Sequence, residues 1–86
     1  MRVQVRYFAA VREIIGDNEA LLELPEYTTI NDLWERLAAT HPRLQQLTCT
    51  AALNQEYVSP EAVIEDGDEV VFIPPVSGGA LGLWNA

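Results

Sequence analysis

The sequence predicts an α+β domain in which one main helix packs on one face of a small mixed sheet. Three observations predict it. Residues 2–8 alternate between apolar and polar, residues 30–41 carry a single apolar stripe at helical spacing, and residues 69–73 form a last apolar run closed by two prolines.

In residues 2–8 the side chains of Val3, Val5 and Tyr7 point one way, and Arg2, Gln4, Arg6 and Phe8 the other. Residues 9–15 suit a short helix, with Gly16-Asp17-Asn18 as its stop and turn. Residues 19–24 read as a second strand ending at Pro25, with Leu22 and Leu24 on one face. Thr29 is placed to cap the main helix, and Asp32, three residues on, completes a capping box. Ile30, Leu33, Trp34, Leu37, Ala38 and His41 make one helical stripe, and Pro42 ends it. Residues 50–53 form a short strand that Asn54-Gln55-Glu56 turns toward Tyr57-Val58. Asp66-Gly67-Asp68 is a turn that launches the strand 69–73, apolar on both faces. Pro74 and Pro75 then end pairing, because neither can donate to a ladder.

Composition narrows the function classes. The chain has 86 residues, enough for one domain and one modest core. With 49% hydrophobic and 21% charged residues it belongs among globular rather than disordered chains. No apolar run approaches the length of a membrane span, and the alternating N-terminus is no signal-peptide core, so a cytoplasmic protein is expected. Thirteen acidic residues against five arginines give a net charge of −8, which argues against nucleic acid and suits either basic protein partners or solubility alone. There is no lysine, hence no lysine amine for a Schiff base or an isopeptide bond. Cys49 is the single cysteine, which excludes an internal disulfide and a Cys-rich metal site.

Three segments carry a family resemblance. Val5-Arg6-Tyr7-Phe8-Ala9-Ala10-Val11-Arg12-Glu13 resembles the opening of the molybdopterin synthase small-subunit family. Ala51-Ala52-Leu53-Asn54-Gln55-Glu56-Tyr57-Val58 resembles its middle, and the block from Asp66 through Pro74-Pro75-Val76-Ser77-Gly78-Gly79 its end. The resemblance implies a β-grasp (ubiquitin-like) fold over residues 1–79. It implies a sulfur carrier whose working group is the carboxyl of Gly79, with no cofactor or metal bound to the carrier. The implied partners are the large subunit of molybdopterin synthase, a sulfur donor protein, and an adenylating enzyme related to ubiquitin activators, which uses ATP.

Such a carrier needs reach and slimness rather than an acid or a base. If extended, residues 74–79 span about 20 Å at roughly 3.3 Å each. Pro74 and Pro75 stiffen the base of this flexible tail, Val76 continues it toward the partner site, and Ser77, Gly78 and Gly79 keep its tip narrow enough for a partner's channel. Phe8, Val71 and Ile73 are expected on the sheet face away from the helix, where an apolar patch would meet a partner.

Other constellations are weaker. Glu65, Asp66, Asp68 and Glu69 lack the spacing of a calcium loop and read as turn residues. His41 ends a helix, Cys49 reads as a small buried residue, and the glycines after Ser77 lack the Lys-Ser/Thr of a phosphate loop. Residues 80–86 depart from the family pattern, which stops at the second glycine. While they remain, Gly79 carries an amide where the mechanism requires a carboxylate. The extension is expected to be removed by processing, to be engineered, or to mark a relative without sulfur transfer. Beside the molybdopterin reading stand a carrier for thiamine, cysteine or tRNA thiolation, and a ubiquitin-like binding module or modifier.

Overall fold

The computed structural model describes residues 1–74; Pro75, Val76, Ser77, Gly78, Gly79 and the 80–86 extension lie outside the described residues. Along the chain come β1 (Arg2–Tyr7), α1 (Ala9–Ile15), β2 (Glu19–Glu23), α2 (Ile30–Thr40), a 3-10 helix (Pro42–Gln46), β3 (Thr50–Leu53), β4 (Glu56–Val58) and β5 (Glu69–Ile73). The five strands form one sheet in the order β2-β1-β5-β3-β4. β1 and β5 run parallel and the remaining pairs antiparallel. A parallel pair needs a crossover, and α2 lies within the one that joins β1 to β5.

The alternation of β1 fixes which face is core. Val3, Val5 and Tyr7 are buried, as are Val70 and Phe72 beside them on β5. Leu33 of α2 is fully buried, and the Trp34 ring meets Phe72 with centroids 4.9 Å apart, tilted by 53°. Helix α2 starts where its box predicts: the Asp32 N–H donates to Thr29 Oγ1, and the Thr29 N–H donates to Asp32 Oδ2, each at 3.1 Å. Gly16 stops α1 in the left-handed region at φ 92°, donating its N–H to the Arg12 carbonyl at 2.7 Å.

Two expectations need correction. Trp34 and Leu37 flank the core half-buried; the buried helix line is Ile30, Leu33 and Ala38. Pro42 ends α2 but also opens the 3-10 helix, whose Leu44 is fully buried and fills the space beside the stripe. A proline fits a first helical position because its missing N–H would have no partner there, so the same residue stops one helix and starts another. Smaller shifts affect strand ends: Phe8 and Leu24 fall just outside β1 and β2, and Glu56 already belongs to β4.

Candidate functional site

The geometry that matters lies where β5 ends. β5 is the middle strand, with β1 parallel on one side and β3 antiparallel on the other. Phe72 pairs with Tyr7, and Ile73 with Thr50, so the chain leaves the sheet between the end of β1 and the start of β3. Pro74, the first residue past the strand, is buried. The sheet therefore fixes Pro74, the last described residue, between the end of β1 and the start of β3.

Phe8 stands beside this exit. It caps α1 in an extended conformation (φ −121°, ψ 153°), and its carbonyl accepts from the N–H groups of Val11 (3.0 Å) and Arg12 (3.3 Å). The next residue, Ala9, holds φ 48°, a left-handed value that costs an alanine about 1 kcal/mol. Phe8 itself is 40% exposed, with the Arg6 guanidinium 5.9 Å from its ring centroid. Arg6 also lies 3.8 Å from a carboxylate oxygen of Glu19 and 3.8 Å from one of Glu69. The cation is thus held on the open face among neighbours of opposite charge.

The open face differs from expectation at Val71. This residue is only 9% exposed, because it sits on the middle strand with Arg6 directly beside it on one strand and Ala52 on the other. Ile73 is half-buried, so Phe8 is the expected patch residue that is most available. The sequence reading missed Tyr57, 64% exposed, which shares a row with Arg6, Val71 and Ala52. It also missed Leu21, 64% exposed, opposite Gln4. Their positions follow from register across strands, which periodicity within one strand does not contain.

On the helix side of the same exit, a cleft of about 250 Å³ is lined by Asn31, Trp34, Cys49, Thr50 and Phe72 among others. Cys49 is half-buried, and burial pushes its thiol up to about 11. At neutral pH it is a thiol, not the thiolate that sulfur chemistry requires. Burial, and then the charge of Asp17, also raise the Tyr7 phenol. The acidic turn has local work: Asp66 accepts from the Arg2 N–H at 2.7 Å, and Asp68 accepts from the Glu65 N–H at 2.8 Å and from Asn54 Nδ2 at 2.9 Å.

A mixed five-stranded sheet with a parallel middle pair, crossed by one main helix on its buried face, defines a ubiquitin-like β-grasp domain. The chain belongs to the ThiS family, which it matches over residues 5–79. The match covers the root of the tail and runs to the second glycine. The molybdopterin synthase sulfur carrier subunit of Chlamydomonas reinhardtii is 47% identical over 83 residues, covering 92% of this chain and 100% of the relative. The putative molybdopterin converting factor subunit 1 of Pyrococcus furiosus superposes with a TM-score of 0.80 at 32% identity, covering 88% of this chain and 99% of that one. A third likeness, to a chain in the complex of subunits 1 and 2 of the Helicobacter pylori molybdopterin-converting factor, has a TM-score of 0.63 at 24% identity. It covers 92% of this chain and 100% of that one.

Proposed function

We propose that this chain is the sulfur carrier subunit of a molybdopterin synthase, working through Gly79. The observation that carries the reading is the family match, which ends at that glycine, six residues past the end of a β5 held between Tyr7 and Thr50. The name of the Chlamydomonas relative supports the same pathway, and the Helicobacter complex supports a second-subunit partner.

The chemistry follows from what a carboxylate can do. With residues 80–86 gone, the Gly79 carboxylate attacks the α-phosphorus of ATP on an adenylating enzyme, and pyrophosphate leaves. A sulfur donor protein then supplies sulfur at the sulfide oxidation level; its C–S bond forms at the acyl carbon as the C–O bond to AMP breaks, AMP leaves, the thiol proton goes to solvent, and the terminus becomes a thiocarboxylate. In the large subunit the thiocarboxylate gives its sulfur to the pterin precursor, and the carboxylate is regenerated by water. The carrier contributes placement: Pro74 and Pro75 limit the entropy lost when the tail is ordered, and Ser77, Gly78 and Gly79 keep its tip slim. Phe8 and Ile73 supply apolar contact beside the root, with Val71 beneath them. No residue of this chain is asked to act as acid, base or ligand to a cofactor.

Among the described residues no helix is long and apolar enough to cross a membrane, and the proposed pathway places the protein in the cytoplasm. Exchange of labelled pyrophosphate into ATP by the adenylating enzyme tests the proposal. A chain ending at Gly79 drives the exchange; the same chain carrying a C-terminal amide does not. Equal exchange by both would remove the terminal carboxylate from the mechanism. The seven residues after Gly79 favour one second reading, a ubiquitin-like binding module, in which neither form drives exchange.

A further inference from the structure

The end of the sheet opposite the tail presents an aromatic residue whose conformation the fold does not reward. Pro25, Glu26, Tyr27 and Thr28 form a tight turn, and the Thr28 hydroxyl donates to the Pro25 carbonyl at 2.6 Å. Tyr27 occupies the third position with φ 69°. That position of a type II turn requires positive φ and is the usual place of glycine or asparagine. A bulky side chain there is an outlier, and burial would ordinarily compensate for it. Here there is none, since Tyr27 is 81% exposed.

Its surroundings form a coherent surface. Val63, 48% exposed, is held close by the bridge between Thr29 and Val63 and by the Ile64 N–H donating to the Thr28 carbonyl at 2.9 Å. Tyr27 and Val63 line a shallow depression with Met1, Glu26, Glu65 and Asp66. Three acidic residues and one ammonium line it; that ammonium, the Met1 terminus, already donates to the Leu24 carbonyl at 2.8 Å, and Asp66 accepts from the Arg2 N–H at 2.7 Å. The depression adjoins the turn that enters β5, where the Gly67 N–H donates to the Arg2 carbonyl at 2.8 Å. The whole length of β5, about 16 Å at roughly 3.3 Å per residue, separates it from the tail exit.

We propose that the Tyr27–Val63 depression is a second docking surface, which takes a basic segment of a partner protein while the tail is engaged elsewhere. An arginine lies well on an exposed tyrosine face and pairs with carboxylates, and an aliphatic side chain between two basic residues covers Val63. The acidic rim repels nucleic acid and anionic lipid alike. The surface requires neither Gly79 nor sulfur, so it stands or falls apart from the proposed transfer.

The test is a titration of the full 86-residue chain, followed by amide chemical shifts, with the synthetic peptide acetyl-Lys-Arg-Leu-Arg-Lys-amide. Shifts are expected at Tyr27, Val63, Glu65 and Asp66 and not at Phe8 or Ile73. Replacing the peptide's leucine by glycine should weaken binding about tenfold, and Tyr27→Gly should do the same. Because Tyr27→Gly relieves the backbone while removing the ring, it should leave the melting temperature unchanged or raised. Tyr27→Asn, which tolerates the same φ, should bind as weakly. Shifts spread over Glu13, Glu35 and Glu56, equal binding of the leucine and glycine peptides, undiminished binding by both Tyr27 variants, or comparable binding to anionic phospholipid vesicles would each overturn the proposal.

Discussion

Phe8 is available because it ends the outward-facing row of β1, and the strained Ala9 turns the chain into α1 directly after it. Phe8 continues the extended alternation of β1, so its ring lies on the Arg6 face, opposite Tyr7, and Arg6 steadies it from the side. Phe8→Asp, and likewise Ile73→Asp, should weaken association with the large subunit by about 2 kcal/mol, measured by calorimetry, while the melting temperature changes little. Val71→Asp should behave differently. At 9% exposure its carboxylate would lose water within the sheet, so a drop in folding stability should accompany any loss of binding. Alternation alone placed Phe8 with Arg6, but the positive φ of Ala9 has no signature in the sequence, because alanine is not a turn residue. Cys49 offers a prediction in pH. Its folded value, about 11, lies above the ordinary 9.0, so the unfolded chain gives up this proton first. The associated stability is complete below about pH 9 and is lost as pH rises through 11. Tyr7 is shifted in the same direction and adds to the loss above its ordinary 10.0. Alkaline melting curves of Cys49→Ala should fall less steeply between pH 9 and 11 than those of the parent chain.

At the scale of elements, the clearest signals in the sequence are those that close on themselves. Thr29 and Asp32 satisfy each other's backbone N–H groups, so the start of α2 was legible; Thr29→Ala should cost about 1 kcal/mol in denaturant unfolding. The buried line of α2 was only partly legible. Trp34 and Leu37 only flank the core that Ile30, Leu33 and Ala38 enter, while Leu44 of the 3-10 helix, outside the stripe, is fully buried. Leu33→Ala should therefore cost roughly 2–5 kcal/mol, whereas half-buried Leu37→Ala should cost less than about 2 kcal/mol. The β3–β4 hairpin carries its own strain. Asn54 and Gln55 both have positive φ, 50° and 74°. Asn54 is fixed by accepting from the Glu69 N–H at 3.0 Å and donating to Asp68 at 2.9 Å. Gln55 occupies the place where such two-residue turns favour glycine. Gln55→Gly should raise unfolding stability by up to about 1 kcal/mol, since relief of strain outweighs the added freedom of the unfolded chain.

For the molecule as a whole, the α+β class, the mixed sheet and its five strands were within reach of pattern and family resemblance, whereas the parallel sense of the β1–β5 pair comes from the structure. Cross-strand rows were not within reach either, and they decide why Val71 is covered while Tyr57 is exposed. The sheet with its helix holds the chain at Pro74, and the proposal assigns the chemistry to Gly79, five residues further along the sequence. The most direct test is the intact mass of two forms of the chain after incubation with the adenylating enzyme, ATP and a sulfur donor protein, followed by conversion of the pterin precursor on the large subunit. The form ending at Gly79 should gain the mass difference between sulfur and oxygen and support conversion, while the 86-residue chain, protected from proteolysis, should do neither. Full activity of the uncleaved chain, with no thiocarboxylate in its mass, would contradict the account.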